Sequence, residues 1–559
     1  MNPSSYDVIV IGAGFGGPVA ARLCARAGLS VLLLERGAEV GDKIISGLTI
    51  PFYGFVFGPD FIRDGNPPVE RPVDGIINYI ITDIEKGEME IEDSLRIPAP
   101  FSPVLAFGYN AYCKDFCQWL ARKAVEAGVT LRTGFAVSEL LPEKGRIAGV
   151  VSDEGERIRA KIVINAEGSQ GLLAVKAGVR KKYPPDTISL ADVYDYEMDK
   201  EDVDRIFGHS LRFCWGWDEQ KVAPPLGRGN GLMVWPYRES LHFMQDQCIG
   251  REDGPVFNLK KALALYHKNI TGKLPWWRDE VAPRAKLRAR MWDGFEIFVG
   301  LNEELRNMPN YAAGMLLIGD AAGLENTELC DGVPTAWFSA EIAARVAIEA
   351  VKNNDVSAGF LKRYSDRVRA HPIIHWSVRA KNRYNLRFAQ EKHELKDLRR
   401  AVHQGWGLGA FGHTSSALCE TALPAIGQDP AILGRWVRMY LRYYYNWHHQ
   451  RFDYEGKAPK AALFRPASSR LLEKGLQAMD LWLKATGPVL SAAARALIPL
   501  AGRADGFMQR VLPKAEPVYL GWVRATEPAA RMLGALFVRA LVNMDPAALD
   551  ASPGERSGA

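Results

Sequence analysis

Tyr6-Asp-Val-Ile-Val-Ile-Gly12-Ala-Gly14-Phe-Gly-Gly17 opens the chain, and Leu32-Leu-Leu-Glu35-Arg36-Gly37 closes the unit it begins. Residues 6–11 are an apolar strand run that ends at Gly12, where the backbone must turn sharply. Gly14 lets the backbone approach a pyrophosphate. Gly17 lets the next helix, predicted over about 15 to 27, pack on the strand with its N-terminus toward the phosphates. Glu35 ends the second strand, 18 residues after Gly17. A carboxylate there accepts both ribose hydroxyls of an adenosine and repels a 2′-phosphate, which favours FAD or NAD over NADP. Arg36, beside it, joins the candidate cofactor contacts.

The chain has 559 residues, 47% of them apolar, enough for two or three domains with a sizeable core. Its net charge of +5 hides an asymmetry. Residues 361–559 hold 30 Lys+Arg against 16 Asp+Glu (+14), whereas residues 1–360 hold 40 against 49 (−9). The basic part is expected to meet an anionic surface. No apolar run reaches the length of a membrane span; the best, Pro488 to Ala501, is short and contains Arg495. The first strand begins too early for a signal peptide to precede it, so a cytoplasmic location is expected. The seven cysteines contain no C-x-x-C and no cluster of four, which fits a reducing compartment and leaves no metal site to expect.

Beyond the first unit, Gly47 to Pro72 reads as an irregular pocket wall, and residues 112–127 as a helix stopped by Gly128. Short strands follow at 129–132, 147–152 and 158–160, then the run Ile162-Val-Ile-Asn-Ala166 leading to Glu167-Gly168-Ser169. Residues 187–300 read as a second domain carrying Trp215, Trp217, Trp235, Phe243, Trp276, Trp277 and Trp292. A buried strand returns at 314–318, and Gly319-Asp320 leads to a helix over 335–352. From about 360 onward the pattern is helical, with amphipathic segments at 471–485, 488–501 and 528–542. In 435–447, Arg435, Arg438 and Arg442 lie along one helical face and Trp436, Tyr440, Tyr443, Tyr444 and Trp447 along another, which suits a lipid headgroup interface or a domain interface.

Three segments in order, Gly12 to Gly17, Asn165-Ala-Glu167-Gly168-Ser169 with Gly171-Leu-Leu, and Gly319-Asp320-Ala-Ala-Gly-Leu-Glu-Asn-Thr-Glu-Leu-Cys-Asp-Gly332, resemble the FAD fold shared by geranylgeranyl reductases, aromatic hydroxylases and electron-transfer-flavoprotein:quinone oxidoreductases. Leu34-Glu-Arg-Gly37 and Ala166-Glu-Gly-Ser-Gln-Gly-Leu-Leu173 look most like the FixC-type branch. The resemblance covers roughly residues 5–350. It implies an α/β fold: a Rossmann-type, glutathione-reductase/aromatic-hydroxylase-like FAD domain from 1–186 and 301–358, with an inserted α+β substrate domain at 187–300; the mainly α-helical region at 359–559 is read from its own pattern and lies beyond the resemblance. It implies FAD as cofactor, held by Gly12, Gly14, Gly17, Glu35, Arg36, Glu167, Gly168, Gly319, Asp320 and Gly332, with Asp320 on ribityl or pyrophosphate oxygens. The family often has an arginine where Cys113 stands, and proline where Thr327 stands.

No second G-x-G-x-x-G follows a strand, so electrons are expected to arrive from a protein carrier or to leave to one. The expected function is FAD-dependent electron transfer between an electron-transfer flavoprotein or ferredoxin-like partner and a membrane quinone. The expected location is peripheral, at the inner face of the membrane, and no nucleic acid partner is expected. No side chain announces itself as a catalytic acid or base. The alternatives are reduction of prenyl double bonds, a flavin monooxygenase or halogenase, and a non-catalytic flavin subunit that anchors partners at a membrane. Against the halogenase stands Trp215-Gly-Trp217, which is followed by Asp-Glu-Gln and not by the halogenase continuation.

Overall fold

The N-terminal apolar run becomes a central strand in the computed structural model, which describes residues 5–42, 47–97, 106–184, 188–216, 231–248, 258–296, 308–325, 332–379, 408–449, 467–501 and 504–549. In chain order the elements are β1 (Ser5–Ile11), α1 (Gly17–Arg26), β2 (Val31–Leu34), β3 (Gly47–Pro51), α2 (Phe52–Phe57), α3 (Asp60–Asp64), β4 (Arg71–Val73), β5 (Gly75–Asp83), β6 (Glu88–Arg96), β7 (Gly108–Tyr112) and α4 (Cys113–Val125). Then come β8 (Thr130–Arg132), β9 (Val137–Glu143), β10 (Arg146–Ser152), β11 (Arg157–Asn165), α5 (Leu172–Lys176), β12 (Ile188–Glu197), α6 (Lys200–Ile206), β13 (Ser210–Gly216), β14 (Gly231–Pro236), β15 (Ser240–Cys248), α7 (Leu259–Lys273) and β16 (Lys286–Glu296). The chain continues with β17 (Tyr311–Ala312), β18 (Met315–Leu317), α8 (Val333–Lys352), α9 (Ala358–Ala370), α10 (Pro372–Arg379), α11 (Leu408–Gln428), α12 (Ile432–His448), α13 (Ala467–Ala501) and α14 (Ala504–Val542).

The first sheet runs β17-β18-β11-β1-β2-β8, with β10 and β9 continuing from β11. Its central strands β2, β1, β11 and β18 are parallel, as continuous apolar runs buried on both faces require. Val8 and Val10 point to the face covered by α1 and α8, where Ala20, Ala21, Ala343 and Ala344 let the helices approach closely; Ile9 and Ile11 point to the other face. Each fully buried Val or Ile contributes roughly 1.5–3 kcal/mol relative to exposure.

The second sheet runs β16-β12-β15-β14-β13-β5-β6. It therefore recruits residues 75–96 from outside the segment 187–300, because β13 pairs in parallel with β5 (Leu211 opposite Ile76). Pairing across more than a hundred residues leaves no local trace in the sequence. Period-two alternation sorts this sheet into two faces. Tyr194, Phe243 and Trp277 belong to the core under α7, whereas Ala191, Val193, Phe213, Trp235 and Met244 form a separate apolar layer. Trp217 lies outside the described residues.

Two sequence expectations change here. Gly47 to Pro72 is not an irregular wall: it holds β3, α2, α3 and β4, and buries Tyr53 and Phe55. Phe55 meets Trp337 and Tyr443 edge-on, at 5.7 and 5.4 Å between ring centroids. Second, α13 passes straight through Pro488, where a break between two helices was predicted. Proline removes one N–H bond and crowds a carbonyl, but α13 is held against α11 beyond that point. Ser491 Oγ and Arg495 Nη1 both donate to the Gly427 carbonyl, the latter at 2.9 Å.

The expected lipid-facing arginines of α12 are also reassigned. Arg435 pairs with Asp429 at 2.7 Å and Arg438 with Asp480 at 2.5 Å, and Arg442 donates to the Arg63 carbonyl at 2.7 Å. Tyr443 is buried and its hydroxyl donates to the same carbonyl at 3.0 Å. Both rows of this helix thus meet other parts of the chain: Arg438 reaches α13, Arg442 and Tyr443 reach α3, Arg435 pairs with Asp429 just before the helix, and Trp436 packs on Phe57. Helical periodicity reveals that a face exists, not what covers it. Among the described residues, no helix is long and apolar enough to cross a membrane.

Candidate active site

Parallel pairing brings the carboxyl ends of β2, β1, β11 and β18 side by side, the edge where ligands bind in open α/β sheets. The chain stitches this edge together: Gly12 N–H donates to Leu34 O at 2.8 Å, Ala166 N–H to Ile11 O at 2.8 Å, and Ile318 N–H to Asn165 O at 3.0 Å. Gly12, Glu35, Glu167 and Gly319 consequently form one row, although they are spread over about 300 residues.

The glycine requirements are steric. Gly12 has φ +95°, and a Cβ there would lie 2.3 Å from the Ala166 carbonyl oxygen. A Cβ on Gly17 would lie 1.8 Å from the Gly12 carbonyl oxygen, so only glycine lets α1 sit this close to β1. Gly14, partly exposed, is at the turn between them. No side chain caps the N-terminus of α1, which leaves its first-turn N–H groups for an anion.

Glu35 is held by two backbone donors, Ala13 N–H to Oε2 at 2.9 Å and Gly37 N–H to Oε1 at 2.8 Å. Each oxygen retains a second lone pair, which fits a ribose diol. Arg36 is exposed beside it. Glu167 is placed differently from the sequence expectation. Its carboxylate accepts from Asn165 Nδ2 at 2.7 Å and from the N–H groups of Leu173 and Ala174 at 3.0 Å, capping α5. It shapes the turn through Gly168, whose φ is +78°. Gly319, at φ +56°, donates its N–H to buried Ser339 Oγ at 3.0 Å. Asp320 reaches across to the start of α8: a Cβ on Gly332 would be 2.8 Å from its Oδ1. Gly332 itself brings no side chain to the start of α8, and the positive end of that helix lies at this site. Residues 326–331, which complete the segment, lie outside the described residues. The cradle fits FAD by its glycine clearances, the first turn of α1 without a side-chain cap, and its oriented carboxylate.

Sequence reasoning missed two features. Arg180, 6% exposed, donates to the carbonyls of Ser169 at 3.0 Å, Gln170 at 3.1 Å and Ala321 at 3.0 Å, and so fastens the turn after β11 to the turn after β18. Nothing in Val179-Arg-Lys-Lys-Tyr183 signals this. The other is a polar cluster where the second sheet meets β3 and β7. His242 Nδ1 accepts from Gly47 N–H at 2.8 Å, its Nε2 lies 3.3 Å from Asp195 Oδ1, and Arg288 pairs with Asp195 at 2.7 Å. Burial works against the Asp195 carboxylate, yet His242 and Arg288 together hold its pKa below the usual value. Tyr112 shares a hydroxyl contact with Ser240, and burial pushes its pKa up to about 12. Asp195 and Arg288 stand 93 residues apart on β12 and β16, and no local pattern in the sequence pairs them.

This arrangement can hold a dinucleotide along the first sheet and present an apolar layer with one polar end on the second. Comparison with known proteins agrees with the cradle. Residues 7–244 match the FAD dependent oxidoreductase family model. The chain is 30% identical over 371 residues to digeranylgeranylglycerophospholipid reductase 1 of Methanopyrus kandleri, covering 65% of this chain and 85% of that one. It is 27% identical over 389 residues to protein FixC of Salmonella typhi, covering 67% and 83%. A geranylgeranyl bacteriochlorophyll reductase-like structure from Thermoplasma acidophilum shares the fold, with TM-score 0.54 and 19% identity over 74% of this chain and 99% of that one.

Proposed function

The chain belongs to the FAD-dependent oxidoreductase family, and from that premise we propose that it reduces the double bonds of an apolar isoprenoid substrate with electrons delivered by a protein carrier. FAD, when bound, supplies two-electron reduction as hydride or as single electrons. Gly12, Gly14, Gly17, Glu35, Gly168, Gly319, Asp320 and Gly332 are the residues proposed to hold it, with Glu167 and Arg180 shaping two of the loops.

The observation that carries the substrate class is the apolar layer of the second sheet. Ala191, Val193, Phe213, Trp235 and Met244 are buried there, with Met233 and Met291 partly open against them. Those five side chains are covered within the chain, so a hydrocarbon chain would meet this layer at the partly exposed Met233 and Met291, gaining dispersion and excluding water there. The thioethers of Met233 and Met291 adapt to a flexible one. Tyr112 and Arg288, at the polar end, would receive a headgroup in this reading. The similarity to digeranylgeranylglycerophospholipid reductases supports the same reading.

A second reading keeps the cradle and changes the acceptor: electrons pass from an electron-transfer flavoprotein or ferredoxin-like protein to a membrane quinone. It is supported by the similarity to FixC and by the lack of a second dinucleotide loop in the sequence. One experiment separates the two. The yellow protein is reduced anaerobically by dithionite, or by a reduced ferredoxin, and mixed with a geranylgeranylated glycerophospholipid or with a short-chain quinone. Lipid that gains two hydrogens per double bond, lost on Met233→Glu at unchanged FAD content, supports the first reading. Reoxidation by the quinone alone, with the lipid unchanged, replaces it with the second.

A further inference from the structure

The helices that follow α12 expose apolar residues in an order that packing does not use. On α13, Leu471, Trp482, Val489 and Leu500 are all exposed, Val489 by 71% and Trp482 by 54%. Positions 475, 478, 485, 492 and 496 fill the same line and are exposed Gly or Ala. The spacing of three and four residues defines a single stripe on one helical face, about 43 Å long at 1.5 Å rise per residue. On α14, Val518, Trp522, Ala525, Ala529, Met532 and Leu536 repeat the pattern, with Val518 exposed by 75% and Trp522 by 55%. Neither stripe contains a charged residue. The two helices pack on each other and on α11, so the interior of this bundle is already filled without the stripes.

Charge indicates what covers them. The acids described on these helices are occupied: Asp480 pairs with Arg438, Glu473 accepts from Asp545 N–H at 2.8 Å, and Glu527 pairs with Arg531. Exposed Lys474, Lys484, Lys514 and Arg539 make no ion pair among the described residues. Lys514 stands four residues before Val518 and Arg539 three after Leu536, so a cation ends the α14 stripe on each side. Long basic side chains beside an apolar face extend their charges to anionic headgroups while the stems stay buried, and tryptophan prefers that same depth. A second copy of the chain is the poorer occupant. Antiparallel self-packing of the α14 stripe would set Lys514 of one copy against Arg539 of the other at both ends, a like-charge opposition.

We propose that the outward stripes of α13 and α14 are a bilayer-docking surface that lies in the headgroup region of an anionic membrane. Lipid association was expected from the basic balance of this region, and the structure moves it from α12, whose arginines are paired, to these two helices. The inference concerns binding and is independent of which acceptor is reduced.

The test uses the full-length, FAD-containing protein in flotation with phosphatidylcholine vesicles and with vesicles carrying about one third phosphatidylglycerol. Flotation with the anionic vesicles, partly reversed by salt, is expected. Trp482→Glu combined with Trp522→Glu should lower the bound fraction at a given lipid concentration by about tenfold or more. Val489→Glu with Met532→Glu should do the same, so a folding defect in one pair does not decide the outcome. Ile91→Glu, at an exposed apolar residue on β6, should bind like the parent. The proposal is overturned if the folded, yellow protein floats with neither vesicle. It is equally overturned if both stripe variants bind like the parent, or if they abolish only a dimer seen by light scattering.

Discussion

Arg180 donates to the carbonyl oxygen of Ala321 at 3.0 Å, across 141 residues of sequence. With its bonds to Ser169 and Gln170, this one guanidinium locks two cofactor loops that come from different strands. Arg180→Met should therefore cost about 2–4 kcal/mol of stability through lost charge-assisted bonds and orphaned carbonyls. It should also release FAD during gel filtration. Arg180→Lys should be intermediate, since an ammonium cannot span both turns. Full FAD retention in the methionine variant would show that the loops hold themselves.

Glu35 receives an N–H on each carboxylate oxygen. In Glu35→Gln the amide nitrogen must face one of those donors, and the ribose loses a charged acceptor. FAD binding should weaken by roughly 1.5–3 kcal/mol, read from fluorescence titration of the apoprotein. Unchanged affinity would mean that other residues hold the ribose.

The Arg438–Asp480 pair joins α12 to α13, with the arginine side chain 8% exposed and the aspartate 36%. Arg438→Met leaves a half-screened carboxylate without its partner and should cost about 2–3 kcal/mol. Adding Asp480→Leu should restore most of that loss, because the stranded charge is then gone. Differential calorimetry of the parent and the two variants checks the order; a double variant as unstable as the single one would contradict it.

Acid should weaken the fold through His209. Burial, together with Arg71, pulls its pKa down to about 3 from an ordinary 6.5. The native ring stays neutral while the unfolded chain binds a proton below pH 6.5, so stability falls as pH drops from 6.5 toward 3. The contribution is at most about 1.4 kcal/mol per pH unit. His267, pulled down to about 3 by burial and by Arg290, acts in the same direction. His209→Phe should show a smaller loss of urea midpoint between about pH 7 and 5 than the parent. An identical loss would mean that the native ring is charged in that range.

Much of the architecture could be read from the chain because its signals are local. A strand, a glycine turn, a helix and an acidic strand end are near neighbours, and the clearances at Gly12 and Gly17 leave no other residue type at those positions. The placement of the helices after 360 in a basic, mainly helical region was equally local. Arg180 and the Asp195–His242–Arg288 cluster were not legible, because each joins carbonyls or charges brought together only by the sheets.

The sequence by itself determined the cofactor fold, since steric limits on a few glycines and the period of apolar residues act within one turn or one strand. Tertiary structure alone decided which faces are covered. Arg438 and Trp482 both belong to amphipathic helical segments, yet the arginine is buried against Asp480 and the tryptophan is exposed. Burial depends on what another part of the chain places opposite a helix, and amphipathic periodicity carries no record of the partner.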